Sequence, residues 1–269
     1  MSAGDTQPTL PLPDWEHTEA PRRRRWPWLV ALGVVIVLLV VAWFAAEAIA
    51  RQLVVSVVRE QVQSQLELPA DQQIDVELPG AVIPQLIRGT VDEITIASDD
   101  VAVGGFAGDV TVTAQGVPIR GGSMSGATAT VTLGEEQLRA LLSTIEGFPS
   151  GTVEIEAPGV SMTMDLQLFG VSIPVGASLI PSAVDGDIVL TPTSLRLGGA
   201  EVDAEAVRDQ FGAVADTVLR DWTVCIAQYL PAGATLTDVS VEGDTLVARF
   251  DIDGNITTDP ALRAEGSCD

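Results

Sequence analysis

Residue types that carry most enzyme chemistry are scarce in this chain of 269 residues. The one histidine, His17, lies among prolines and acids near the N-terminus. That position removes Ser-His-Asp and Cys-His nucleophilic catalysis from the rest of the chain, together with the usual His-containing zinc sites. Carboxylates are plentiful, at 37 Asp and Glu, so a paired acid/base site is conceivable by number alone. Most of them, including Asp92, Glu93, Asp109, Glu154 and Glu156, alternate with apolar residues. That is the pattern of a solvated sheet face. Asp251-Ile252-Asp253-Gly254-Asn255 has the composition of a calcium loop, but its glycine comes fourth where an EF-hand needs it sixth. It reads as a strand end and a turn. GGSMSG at 121–126 lacks the strand-to-helix setting of a phosphate loop and reads as a turn. Asn255-Ile256-Thr257 matches a glycosylation sequon by pattern. Seven aromatics in the 219 residues after Ala50 are few for sugar-stacking platforms. No cofactor, metal or catalytic set is expected.

Charge narrows the partners. All 14 basic residues are Arg, and the net charge is −23. Nucleic-acid binders carry basic footprints, so a nucleic-acid partner is not expected. Tight electrostatic docking on an anionic membrane is disfavoured for the same reason.

Location is written near the N-terminus. Residues 1–25 are Pro-rich and polar and end in the run Arg22–Arg25. They read as a disordered cytoplasmic tail. Trp26 to Ala46 follows with 21 uncharged residues. At 1.5 Å per residue this spans about 31 Å, the thickness of a bilayer core. Trp26, Trp28 and Trp43 sit near its ends, where interfacial aromatics belong. The arginines hold the N-terminus in the cytoplasm, so residues 51–269 are expected outside the membrane. The segment reads as a single-pass signal anchor at the cell membrane. Ala46, Ala48 and Ala50 leave cleavage as the alternative.

The exported part holds 10 Arg against 32 acids, a net charge of −22. Its two cysteines, Cys225 and Cys268, are expected to form a disulfide in that setting, with two free thiols as the alternative. Val54, Val58, Val62 and Leu66 recur at helical spacing, so the span is expected to continue as a helix until Pro69. Ile74, Val76 and Leu78 alternate with acids as in a strand. PGAVIPQLIRG at 79–89 is a short apolar element between breakers. Alternating runs then read as strands, with helices over GEEQLRALLSTIEG and from about Asp203 to Asp221. TLTDVSV-EGD-TLVARFDI reads as a closing hairpin with a three-residue turn. Many strands, few helices and no regular βα alternation give an α+β class with a largely antiparallel sheet. Apolar strand faces and helix stripes fit either an ordinary filled core or an elongated apolar cleft.

The stretch IDVELPGAVIPQLIRGTVDEITIASDDV, Ile74 to Val101, resembles the LmeA-like family of phospholipid-binding cell-envelope proteins of actinobacteria. In that family a strand leads into a Gly-Phe-Pro-Phe-like element, an apolar turn, an Arg/Lys-Gly pair and a Val-rich strand. Gly80, Pro84, Leu86, Arg88, Gly89 and Val91 follow that order here. Ala81 and Val82 stand where the family has an aromatic pair. GEEQLRALL and YLPAGATLTDVSVEGDTLVARF also look like family segments, and the likeness runs over roughly residues 50–255. The resemblance implies a curved sheet wrapped on helices, similar to tubular lipid-binding folds. It also implies binding or transfer of phospholipid without catalysis, in support of envelope-lipid or lipoglycan maintenance. Val82, Ile83, Leu86 and Ile87 are the candidate acyl-lining residues that follow from it. A non-enzymatic envelope scaffold with a filled core is the alternative.

Overall fold

The computed structural model describes residues 26–65, 72–103, 106–143, 152–168, 171–212 and 219–268. Residues 1–25 and Pro69, and with them the expected tail and helix stop, lie outside these. The chain divides into two units, Met1–Ala45 and Ala46–Asp269. In the first, the described residues are the opening part of helix α1 (Trp26–Gln65), with every side chain from Trp26 to Ala45 exposed. The helix is long and apolar enough to cross a membrane.

The second unit holds the rest of α1 and two antiparallel sheets of six strands. The first sheet contains β1 (Asp75–Glu77), β2 (Thr90–Val103), β3 (Phe106–Pro118), β4 (Gly126–Leu133), β11 (Ala234–Glu242) and β12 (Thr245–Ile252). They lie in the order β1-β2-β3-β4-β12-β11. The second contains β5 (Thr152–Glu156), β6 (Gly159–Leu168), β7 (Val171–Val184), β8 (Asp187–Leu197), β9 (Ala200–Asp203) and β10 (Trp222–Val224). Its order is β10-β8-β7-β6-β5, with β9 also on β8. The α+β class is therefore as expected, with the strands divided between two sheets. The sheets adjoin through β11, which runs against β7.

Local chemistry accounts for most boundaries. Asp185-Gly186 joins β7 to β8 with φ of 53° and 88°, both in the left-handed region that a type I′ hairpin needs. The closing hairpin is tighter than expected, since Glu242 pairs directly with Thr245 across Gly243-Asp244. Of the expected helix over 203–221, residues 213–218 lie outside the described residues. Helix α4 (Ala204–Phe211) ends at Gly212, whose φ of 53° leaves the helical region. Trp222 is already on a strand, paired with Leu190. Helix α3 (Glu135–Ser143) carries Leu138 into the core, while Ile145 lies outside the described residues. The C-terminal segment closes with a 3-10 turn over Gly254–Thr257 and helix α5 (Pro260–Arg263). Cys225 and Cys268 are joined, with Cα atoms 5.9 Å apart.

Candidate functional site

Helix α2 (Val82–Arg88) carries all four candidate lining residues, and its position is set by side chains far away in sequence. Its N-cap, Ala81, offers no side-chain acceptor. Glu47 of α1 takes that role: its carboxylate accepts from the backbone N–H of Val82 and, at 3.1 Å, of Ile83. This satisfies two amides that a helix start otherwise leaves unpaired. Arg51, one turn along, donates to the carbonyls of Leu78 and Gly80. Arg59 donates to that of Ile74 at 3.1 Å. Gln85 is 96% buried but fully engaged: its amide nitrogen reaches the Pro79 carbonyl at 2.9 Å, and its oxygen accepts from Asp92 N–H at 3.1 Å. Gly89 closes the helix at φ 80°, with its N–H on Gln85 and Leu86 carbonyls.

This anchoring splits the four candidates. Val82 is buried, and Leu86 packs beside it against Leu78, Val91 and Ile94. Ala50, Val54, Val55 and Val58 of α1 complete that cluster. Ile83 is half-buried, and Ile87 is 80% exposed. The buried side of α2 thus includes Gln85, a position that apolar periodicity alone passes over.

The larger apolar surface lies on the sheets. In the first, the register puts Ile96 opposite Val112, Val112 opposite Ala129 and Ala129 opposite Phe250. Val110, Val131 and Ala248 form the next row. Side chains of opposed pairs share a face, so these seven make one aliphatic patch. The other face is a field of threonines: Thr95, Thr111, Thr113, Thr128, Thr130 and Thr132. Thr95 and Thr113 hydrogen-bond across it at 3.1 Å. The second sheet repeats the scheme. Met162 and Met164 on β6 stand opposite Ala177 and Val175, and Leu195 on β8 opposes Ala177. Behind them Ser161, Ser178 and Ser194 form a hydroxyl ladder at 3.0 and 3.1 Å. Ser194 then donates to Glu201 at 2.9 Å.

The two aliphatic faces look into common space. Leu138 of α3 packs with Val153 and Ile155 of the second sheet, and Val160, Met162, Val241 and Leu246 surround them. Val241 and Leu246 belong to the first sheet, Val160 and Met162 to the second. Another cluster, Ala204 and Leu219 with Leu195 and Val207, fills the α4 end of the second sheet. Between these filled ends, the middle residues are only half-buried: Val110, Val112, Ala129, Val131 and Phe250 on one sheet, Met164, Val175 and Ala177 on the other. Their partial accessibility sets them apart from the packed clusters on either side.

Electrostatics adds little to this surface. Glu201 is held below the usual carboxylate range, first by its hydrogen bond from Arg196 and then by that from Ser194. Arg249 is raised by its hydrogen bonds to Glu242 and Asp238. Both lie on the polar side of their sheets. Among the described residues, no group of three His, Cys, Asp or Glu side chains is placed to hold a metal ion. A groove of about 470 Å³ runs beside the Cys225–Cys268 bridge, lined in part by Asp185, Asp187, Thr235 and Ser267. Its lining is mixed, with Leu230, Pro231, Ala234 and Leu236 beside the two carboxylates.

Two antiparallel sheets, each with a hydroxyl-rich face and an aliphatic face, follow a helix long and apolar enough to cross a membrane, which defines an α+β protein with an N-terminal apolar helix. The chain belongs to the LmeA-like phospholipid-binding family, whose model matches residues 45–251. No curated protein and no solved structure gives a significant match. The family match starts at the boundary between the two units and stops before α5 and Cys268.

Proposed function

We propose that this chain is a single-pass, extracytoplasmic phospholipid-binding protein without catalytic activity. Residues 1–25 are its cytoplasmic tail, 26–46 its anchor and 51–269 its lipid-holding domain. Acyl chains lie along the two aliphatic faces, over Val112, Val131, Val175 and Ala177. The half-burial of these positions between filled ends carries the reading. Each acyl CH₂ removed from water contributes about 0.8 kcal/mol. Ten such groups would supply about 8 kcal/mol, which is micromolar binding before ordering costs. Val82 and Leu86 form the closed end of this surface, and Ile83 and Ile87 its outer rim. The Cys225–Cys268 bridge ties the C-terminal segment, which lies beyond the region matched by the family, to the end of β10 within it. Work in envelope-lipid or lipoglycan maintenance, by holding or transferring phospholipid, is the physiological role that fits such a device. The test is native mass spectrometry of the full chain released from detergent, with lipid extraction of the same sample. A stoichiometric mass increment that resolves into phospholipids supports the reading. A lipid-free chain across several detergents contradicts it.

A further inference from the structure

An ordinary surface helix turns a polar face outward. Beyond Ala46, the outward side of α1 is mixed: exposed Gln52, Ser56 and Glu60 share it with large apolar side chains. Ala50, Val54, Val55 and Val58 pack inward. Ile49, Leu53 and Val57, spaced four apart on the outward side, are 60%, 61% and 62% exposed. A second apolar feature is α2, where Ile87 is 80% exposed and Ile83, one turn earlier, is half-buried. The first two amides of α2 are held by Glu47, the residue directly after the expected span. A helix of seven residues is about 10 Å long. The headgroup layer on each side of a bilayer is on the order of 6 Å thick. Tied at its start to Glu47, α2 therefore lies within reach of that layer.

We infer that the outward side of α1 over Ile49–Val57, together with Ile83 and Ile87 of α2, rests in the outer leaflet and forms the port through which phospholipid enters. This inference rests on the lipid-binding reading above. The occupant is the bilayer itself, for three reasons. The exposed stripe on α1 continues the apolar helix without a break. The domain's net charge of −22 excludes electrostatic attraction to anionic lipid, so any contact is apolar. Both arginines beside α2 are already engaged, Arg51 with the Leu78 and Gly80 carbonyls and Arg88 with Asp92 at 2.8 Å. The inner side of α2 then leads onward. Its cluster includes Ile96 and Ala114, which begin the aliphatic face of the first sheet.

The test uses the full chain in phosphatidylcholine vesicles, some of whose lipids carry a spin label on the acyl chain. An environment-sensitive fluorophore is placed in turn on Ile87→Cys, Leu53→Cys and, on the threonine face, Thr128→Cys. The inference predicts blue-shifted emission and strong quenching at 87 and 53, unchanged by added salt, and neither at 128. Quenching at 87 no greater than at 128 overturns the contact. A blue shift at 87 without quenching overturns it too, since a protein partner would then cover the site. Leu53→Ser removes a side chain that is 61% exposed and lies outside the lipid-holding surface, so the fold stays intact. It is predicted to slow phospholipid transfer between vesicles several-fold while bound lipid in the purified chain stays at the wild-type amount. Transfer at the wild-type rate overturns the port. A wild-type chain that carries no lipid would refute the binding reading instead, and the quenching result would still report on the contact.

Discussion

Replacing Val131 with Asp places a carboxylate in the middle of the first sheet's aliphatic face, between Val110 and Ala248. Val131 is half-buried, so the charge can reach water when no lipid is present. The folding cost is then about half of a valine's full burial, roughly 1 kcal/mol. In a domain of this size that lowers Tm by about 2–4 °C. Lipid suffers more. Lifting three CH₂ groups off the charged position removes about 2.4 kcal/mol, roughly fiftyfold in affinity. Val82→Asp is the contrast. Val82 is 99% buried beside Leu78, Val91 and Ile94, where a carboxylate has no partner. An unpaired buried charge costs several kcal/mol, a large part of a typical domain's 5–15. That variant should lose on the order of 10 °C or fail to fold. Thermal unfolding and lipid extraction on the same preparations read both effects. If Val131→Asp unfolds the domain as Val82→Asp does, the face is filled core and the reasoning fails. If it folds and keeps wild-type lipid, acyl chains do not lie there.

Other expectations follow from single contacts. Glu47→Gln weakens the cap that α1 supplies to α2 and should cost about 1 kcal/mol, seen as a Tm lower by a few degrees; an unchanged Tm would show that α2 needs no cap from α1. Removing the Cys225–Cys268 bridge by double substitution with Ser releases a 43-residue separation and should cost about 4 kcal/mol in the chain-entropy model, read by denaturant unfolding. Equal midpoints for the two proteins would contradict this. Glu201 has a lowered folded pKa, so its ion pair stabilises the fold above the unfolded carboxylate pKa and is lost as pH falls through the folded value. The Tm gap between wild type and Glu201→Gln should therefore be present at neutral pH and close in acid; a gap that widens in acid would reverse the assignment.

How much of this was legible in the sequence depends on how local its cause is. Pro79-Gly80 and Gly89 bracket α2, and both glycines adopt positive φ as breakers at helix ends do. The Thr/Val alternation of β3 and β4 reports two-faced strands because side chains there alternate strictly. The partition into two sheets is not local. β4 pairs with β12 across more than a hundred residues, and nothing in either strand specifies that partner. The same limit hid the role of Glu47, whose carboxylate accepts from amides 35 and 36 residues away. Gln85 escaped because its burial depends on the Pro79 carbonyl and Asp92 N–H meeting its amide. For the candidate site, an apolar helix face was visible at Val82 and Leu86, but Ile87 points outward because α2 is pinned at its other side. The middle of the aliphatic faces needed the register to be seen at all, since half-burial is a property of neighbours.

The central claim, that acyl chains lie against the inner faces of the two sheets, is tested most directly by photo-crosslinking. The full chain in vesicles containing a phospholipid with a photoreactive acyl chain is irradiated, digested and mapped. The anchor helix will label in any case, so the decisive peptides are those of β3, β4, β7 and β12. The account predicts adducts at or beside Val112, Val131, Val175, Ala177 and Phe250, and loss of the adducts on β4 in Val131→Asp. Adducts confined to α1, with these four strands unlabelled, would contradict it.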